Sequence, residues 1–159
     1  MNYWACVVMG VVATAITDMG MLVRKRWLNI VLPNYALVGR WVAYMARGIF
    51  RHRAIVAART IEGERIVGWV VHYLTGIVFA AVLLGIFGNT WLQTPRLMPA
   101  LMVGVGTVSA PFLLMQPAMG LGVAASRATN PTAARMQSLA THVLFGFGLY
   151  VAGFIARLI

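Results

Sequence analysis

Acidic side chains are the scarcest component of this sequence: Asp18, Glu62 and Glu64 are the only three in 159 residues, against thirteen Lys and Arg. Charge of either sign is thin as well, at 10% of the chain, where a soluble domain carries about 25%. With 61% hydrophobic residues and a mean hydropathy of +0.83, the chain has too much apolar surface for a soluble fold of this length to hide. A soluble enzyme and a disordered chain are thereby excluded. Cys6 is the single cysteine, which rules out an intrachain disulfide and a cysteine-built metal centre. There is no HExxH, no phosphate loop and no nucleophile–base pattern. What remains is an all-α polytopic membrane protein, one integral membrane domain over residues 1–159.

Four apolar stretches are long enough to cross ~30 Å of hydrocarbon at ~1.5 Å per residue. They run from about residue 3 to 23, 66 to 87, 97 to 115 and 136 to 158. The first lacks a basic start and meets Arg24-Lys25-Arg26 at once, so it is expected to remain as a span and not to act as a signal peptide. Eleven basic residues lie between spans one and two or between three and four, and only Arg96 and Arg157 lie on the other side. This bias predicts a bacterial inner-membrane protein with both termini outside, in the periplasm. It also assigns the net charge of +10 to insertion and to anionic headgroups of the bilayer, with no nucleic-acid partner. Tyr3, Trp4 and Trp91 are expected as outer anchors, Trp27 and Trp69 as inner ones.

The loop between spans one and two carries a pattern of its own. Asn34 is a candidate N-cap, and residues 34–50 read as an amphipathic helix lying in the interface. Arg40 and Arg47 would share its polar face and meet lipid headgroups. Leu37, Val38, Trp41, Val42 and Met45 would form the apolar stripe, with Trp41 as an interfacial anchor. In span three, Pro99, Pro111 and Pro117 together with Gly104, Gly106, Gly120 and Gly122 predict a kinked helix with an unwound inner end near Gln116. Gly148, Ala152 and Ala156 in span four, and Gly76 and Ala80 in span two, are small-residue seams suited to internal packing or to a homo-oligomer.

Ionisable and imidazole side chains within a span are costly and mark candidate sites. Asp18 lies six residues before Arg24, His72 seven after Arg65 and His142 seven after Arg135. At helical rise each sits ~9–10 Å from the inner boundary, so the three are expected to share one layer, with Gln116 within reach and Thr14 one turn from Asp18. Gly76 follows His72 by four residues and Gly146 follows His142 by four, which would leave room over each ring for a backbone or a flat ligand. Asn130 before Pro131 is read as turn chemistry.

The chain resembles a bacterial family of short integral membrane proteins classified only as a domain of unknown function. The likeness rests on Asn34 to Trp41, on Gly63-Glu64-Arg65 with Gly68-Trp69 and His72-Tyr73, and on Pro111-Phe112 and Met115-Gln116-Pro117. It continues through Gly120, Gly122, Ala125-Ser126-Arg127 and Asn130-Pro131 to Ala134-Arg135, Ser138-Leu139, Thr141-His142 and Phe145-Gly146. It implies the same four-span build and carries no activity across.

Two functional classes lead. The first is binding or transport of a small solute or ion, proton-coupled, by a homo-oligomer in which Asp18 titrates and His72 and His142 relay or gate. This loosely resembles small multidrug exporters, which also place an acid in the first of four spans, although the charge bias here predicts a single orientation. The second is a redox or metal protein, in which His72 and His142 ligate a haem b, or both join Asp18 on a single metal ion. A lipid-modifying enzyme and an accessory or assembly subunit are the further alternatives, with no nucleophile supporting the former.

Overall fold

The computed structural model describes residues 2–158 and is helical, with no strand among the described residues. Helix α1 spans Tyr3–Leu28 because both of its ends are satisfied. The Asn2 side chain accepts from the Ala5 N–H at 3.2 Å, Lys25 and Arg26 occupy the last turn, and Asn29 closes the helix in the left-handed conformation at φ 50°. The helix therefore continues past Val23 through the basic triplet, since cations are favourable at a helix C-terminus. After it come α2 (Tyr35–Met45), a 3₁₀ turn at Ile55–Ala57, α3 (Glu64–Phe87), the short α4 (Thr90–Gln93) and α5 (Leu97–Gly106). A π-helical segment over Ala110–Met115 then runs into α6 (Gln116–Ala118), and a second 3₁₀ turn at Val123–Ala125 precedes α7 (Pro131–Ala156). Among the described residues, four helical stretches are long and apolar enough to cross a membrane: Tyr3–Leu28, Glu64–Phe87, Leu97–Ala118 and Pro131–Ala156. This is the expected four-span, multi-pass membrane protein.

The α2 end and the α7 start differ from expectation, each for a local reason, while the third span is irregular as expected. Helix α2 is capped as foreseen, Asn34 Oδ1 accepting from the Ala36 N–H at 3.1 Å, but it stops at Met45. Arg47 and Gly48 close a turn onto Tyr44 and Met45, with Gly48 at φ 76°, so residues 46–50 lie outside the helix. In the third span the prolines give a π-segment, one of the recognised ways to absorb a helix irregularity. The unwound inner end follows, with Gly120 at φ 93° and Gly122 at φ 75°. Helix α7 begins at Pro131, five residues before the expected start, because Asn130 Oδ1 accepts from the Ala133 N–H at 3.0 Å and Pro suits the first helical position. Asn130 is thus a helix cap as well as a turn residue. Asn130→Ala is expected to lower stability by about 1 kcal/mol, read as a small drop in thermal midpoint in detergent.

Two compact units are present. The first comprises Met1–Leu32, Tyr73–Thr107 and Leu139–Ile159. Its core is built from Met9, Ala13, Leu83, Ala100, Leu149 and Ala152, with backbones in close approach at glycines. A Cβ on Gly10 would strike Ile77 Cα of α3, and one on Gly104 would strike Gly146 Cα of α7. A Cβ on Gly148 would lie 2.9 Å from the Ala13 carbonyl oxygen. The small-residue seams therefore serve internal packing. The second unit comprises Pro33–His72 and Val108–Ser138. Its core joins Trp41 and Ile55 to Ala118 and Met119, and α2 meets the start of α3 where Gly39 and Gly68 leave no room for side chains.

Candidate functional site

In the first unit, Asp18 on α1 is half-buried and receives the Tyr73 hydroxyl of α3 at 3.2 Å. An intramembrane carboxyl thus has a specific donor on a second spanning helix, as its desolvation requires. Thr14 is committed elsewhere. Its hydroxyl donates to the Gly10 carbonyl at 2.7 Å and fills the space over Gly76, so it belongs to the α1–α3 packing. His142 on α7 meets Thr107 Oγ1 at 3.0 Å and the Gly104 carbonyl oxygen at 3.1 Å, both through Nδ1. A carbonyl only accepts, so Nδ1 carries the hydrogen. The Thr107 hydroxyl donates to the same Gly104 oxygen at 2.7 Å, which closes a three-group network across α5 and α7. Gly104 makes the contact possible, since a Cβ there would sit 2.8 Å from the His142 carbonyl oxygen.

In the second unit, His72 stacks on Tyr35 with ring centroids 4.1 Å apart, and Trp69 sits edge-on to it at 5.8 Å. Helix α2 therefore serves α3 as an aromatic support. Arg40 is where the amphipathic reading of that helix needs correction. It was expected on an outward polar face against headgroups, yet it is only 7% exposed and forms an ion pair with Glu64. Nε and Nη2 each donate to a Glu64 carboxylate oxygen at 2.8 Å, while Nη1 donates to the carbonyls of Ala58 at 2.9 Å and Ile55 at 3.3 Å. The forked pairing with Glu64 holds the guanidinium above even its high ordinary pKa. Trp41 is likewise buried, its indole N–H donating to the Phe50 carbonyl at 3.0 Å, whereas Arg47 lies beyond the helix end and is exposed. Gln116 is 6% exposed, and its Oε1 has no hydrogen-bond partner among the described residues.

The expected four-residue layer is distributed over both units: Asp18 and His142 belong to the first, His72 and Gln116 to the second. Among the described residues no group of three or more His, Cys, Asp or Glu could hold a metal ion. The glycines expected to make room over the histidines are occupied instead. Gly76 faces Thr14, and a Cβ on Gly146 would lie 3.0 Å from the Ala100 carbonyl oxygen, so a neighbouring helix covers each glycine. Sequence reading missed Tyr73, Thr107 and the Arg40–Glu64 pair. Tyr73 was discoverable, since an acid within a span needs a donor on a neighbouring helix. So was Glu64, as one of three acids among thirteen bases.

No curated protein and no solved structure matches the chain. Residues 7–156 match the family model described as "Protein of unknown function (DUF2938)", and the chain belongs to that family.

Proposed function

We propose that this protein binds and carries a small cation, the proton first among them, through a membrane-embedded site centred on Asp18. The observation that carries this reading is the Asp18–Tyr73 hydrogen bond at 3.2 Å between α1 and α3. A carboxyl in a span can be neutral by protonation or by cation binding, and a phenol hydroxyl can stay hydrogen-bonded to either form. The His142–Thr107–Gly104 network in the same unit supplies a second polar group within the spans. Its fixed Nδ1–H leaves the other ring nitrogen as the one able to exchange a proton. Only 17% of the apolar stretch of the third span is buried by the rest of the chain, which suits a path completed by a second copy. The split of eleven basic residues to two supports an inner-membrane location with the ends periplasmic.

The test is proton flux into proteoliposomes followed with an internal pH dye. Wild-type protein is expected to dissipate an imposed pH gradient, and Asp18→Asn, which keeps shape and a hydrogen-bonding oxygen, to fall to the rate of empty vesicles. Flux in Asp18→Asn equal to wild type would end the proposal.

A further inference from the structure

We propose that the segment from Arg47 to Arg59 is a docking face for anionic phospholipid headgroups, held in place by the second unit. It does not depend on the role of Asp18. The sequence pattern pointed to the helix before this segment as the lipid-facing element. The structure turns the charged residue of that helix inward, and the exposed charge lies in the loop that follows.

Arg47, Arg51, Arg53 and Arg59 are all exposed. Between them stand apolar side chains that the fold leaves uncovered: Ile49 at 43% exposure, Phe50 at 59% and Val56 at 69%. Ile55, next in the chain to Val56, is by contrast 2% exposed and serves the core. The backbone thus sorts one residue inward and its neighbours outward, which a disordered connector would not do. Its order has visible causes. The Phe50 carbonyl accepts from Trp41, the His52 N–H donates to the Ala118 carbonyl at 2.7 Å, and the Ile55 N–H donates to the Met119 carbonyl at 3.0 Å. The Tyr44 hydroxyl donates to the Arg59 carbonyl at 3.1 Å, and Arg40 takes the carbonyls of Ile55 and Ala58.

Charge complementarity selects the occupant. In this unit Glu64 is consumed by Arg40, and Glu62 is the one exposed acid against seven exposed arginines among the described residues. Guanidinium groups pair with phosphate through parallel N–H···O bonds, and interleaved Phe, Ile and Val suit the boundary between headgroup and acyl chain. The segment also leads directly into the spanning helix α3 at Glu64, so it cannot lie far from that boundary. An acidic cytosolic protein would match the arginines but would leave the apolar residues without a solvent of their own.

The test uses the full chain in vesicles of phosphatidylcholine and phosphatidylglycerol at three to one, with spin-labelled versions of each lipid as probes. Phosphatidylglycerol is expected to be immobilised at the protein in preference to phosphatidylcholine. The variant R51Q/R53Q/R59Q, which leaves Arg40 and Glu64 intact, is expected to weaken that preference at least ~10-fold, since each basic residue near an anionic surface adds its own attraction. No preference in the wild type, or an unchanged one in the triple variant, would overturn the proposal. Should the triple variant not fold, a spin label on Phe50→Cys in a Cys6→Ala background decides. Greater access to oxygen than to a water-soluble nickel chelate supports lipid contact. The opposite order means that the loop stands in water, facing a protein or nothing, and rejects it.

Discussion

Replacing Arg40 by Met is expected to lower stability by about 3–5 kcal/mol and to open the segment between α2 and α3 to protease. The size follows from what is left behind. Arg40 is 7% exposed and satisfies both carboxylate oxygens of Glu64 together with the carbonyls of Ile55 and Ala58. Removing the guanidinium strands a carboxylate at 14% side-chain exposure and two carbonyls at once. Glu64 also accepts from the Ile61 N–H at 3.0 Å while its own N–H donates to the Ile61 carbonyl at 3.1 Å, so one carboxylate closes the turn that enters α3 and anchors α2. Arg40→Lys is expected to recover only part of the loss, because a single ammonium cannot present the fork to Glu64 and still reach the carbonyls of Ile55 and Ala58. Limited trypsin digestion gives the readout. Arg51, Arg53 and Arg59 are exposed cleavage points on a backbone held by hydrogen bonds, so wild type should be cut slowly and Arg40→Met quickly. Equal digestion rates would show that the clasp does not hold the segment.

Gly104→Ala is expected to destabilise by about 3 kcal/mol, at the upper end of the range for overpacking. The added methyl would meet Gly146 Cα, and it would lie 2.6 Å from the Gly146 nitrogen and 2.8 Å from the His142 carbonyl oxygen. All of these are backbone atoms, so no side chain can turn aside, and α5 and α7 must separate. That separation would also lengthen the His142 contacts to Thr107 and Gly104, so polar and packing effects arrive together. Gly85→Ala and Gly106→Ala are the controls. Nothing lies within 4 Å of a Cβ at either position, and both are helical. Each should be neutral or stabilising by up to ~1 kcal/mol, since alanine is the better helix former. Thermal midpoints of the three variants in one detergent check the contrast, and equal midpoints would refute close packing at Gly104.

The α2 region shows where sequence reading stopped. Its N-cap at Asn34 and its apolar positions Leu37, Trp41, Val42 and Met45 were legible, because capping and helical periodicity are local. The destination of Arg40 was not. A basic residue at helical spacing from Arg47 looks like a solvated face, and only Glu64, twenty-four residues on, turns it inward. Gly76 and Gly146 stood out for their distance from the histidines, but a glycine carries no side chain to announce what covers it. Here helix backbones and Thr14 do so.

From the sequence alone came the membrane class, the four spans, the charge asymmetry and the Asn34 cap of α2, each a consequence of local composition, capping or hydropathy along one segment. Tertiary structure decided the rest: that Tyr73 serves Asp18, that Thr107 and Gly104 orient His142, that Arg40 binds Glu64, and that the arginines from 47 to 59 are the ones left exposed. Spans buried in hydrocarbon are apolar on every side. Their sequences therefore do not reveal which face meets which neighbour, and polar partners are chosen only when the helices pack.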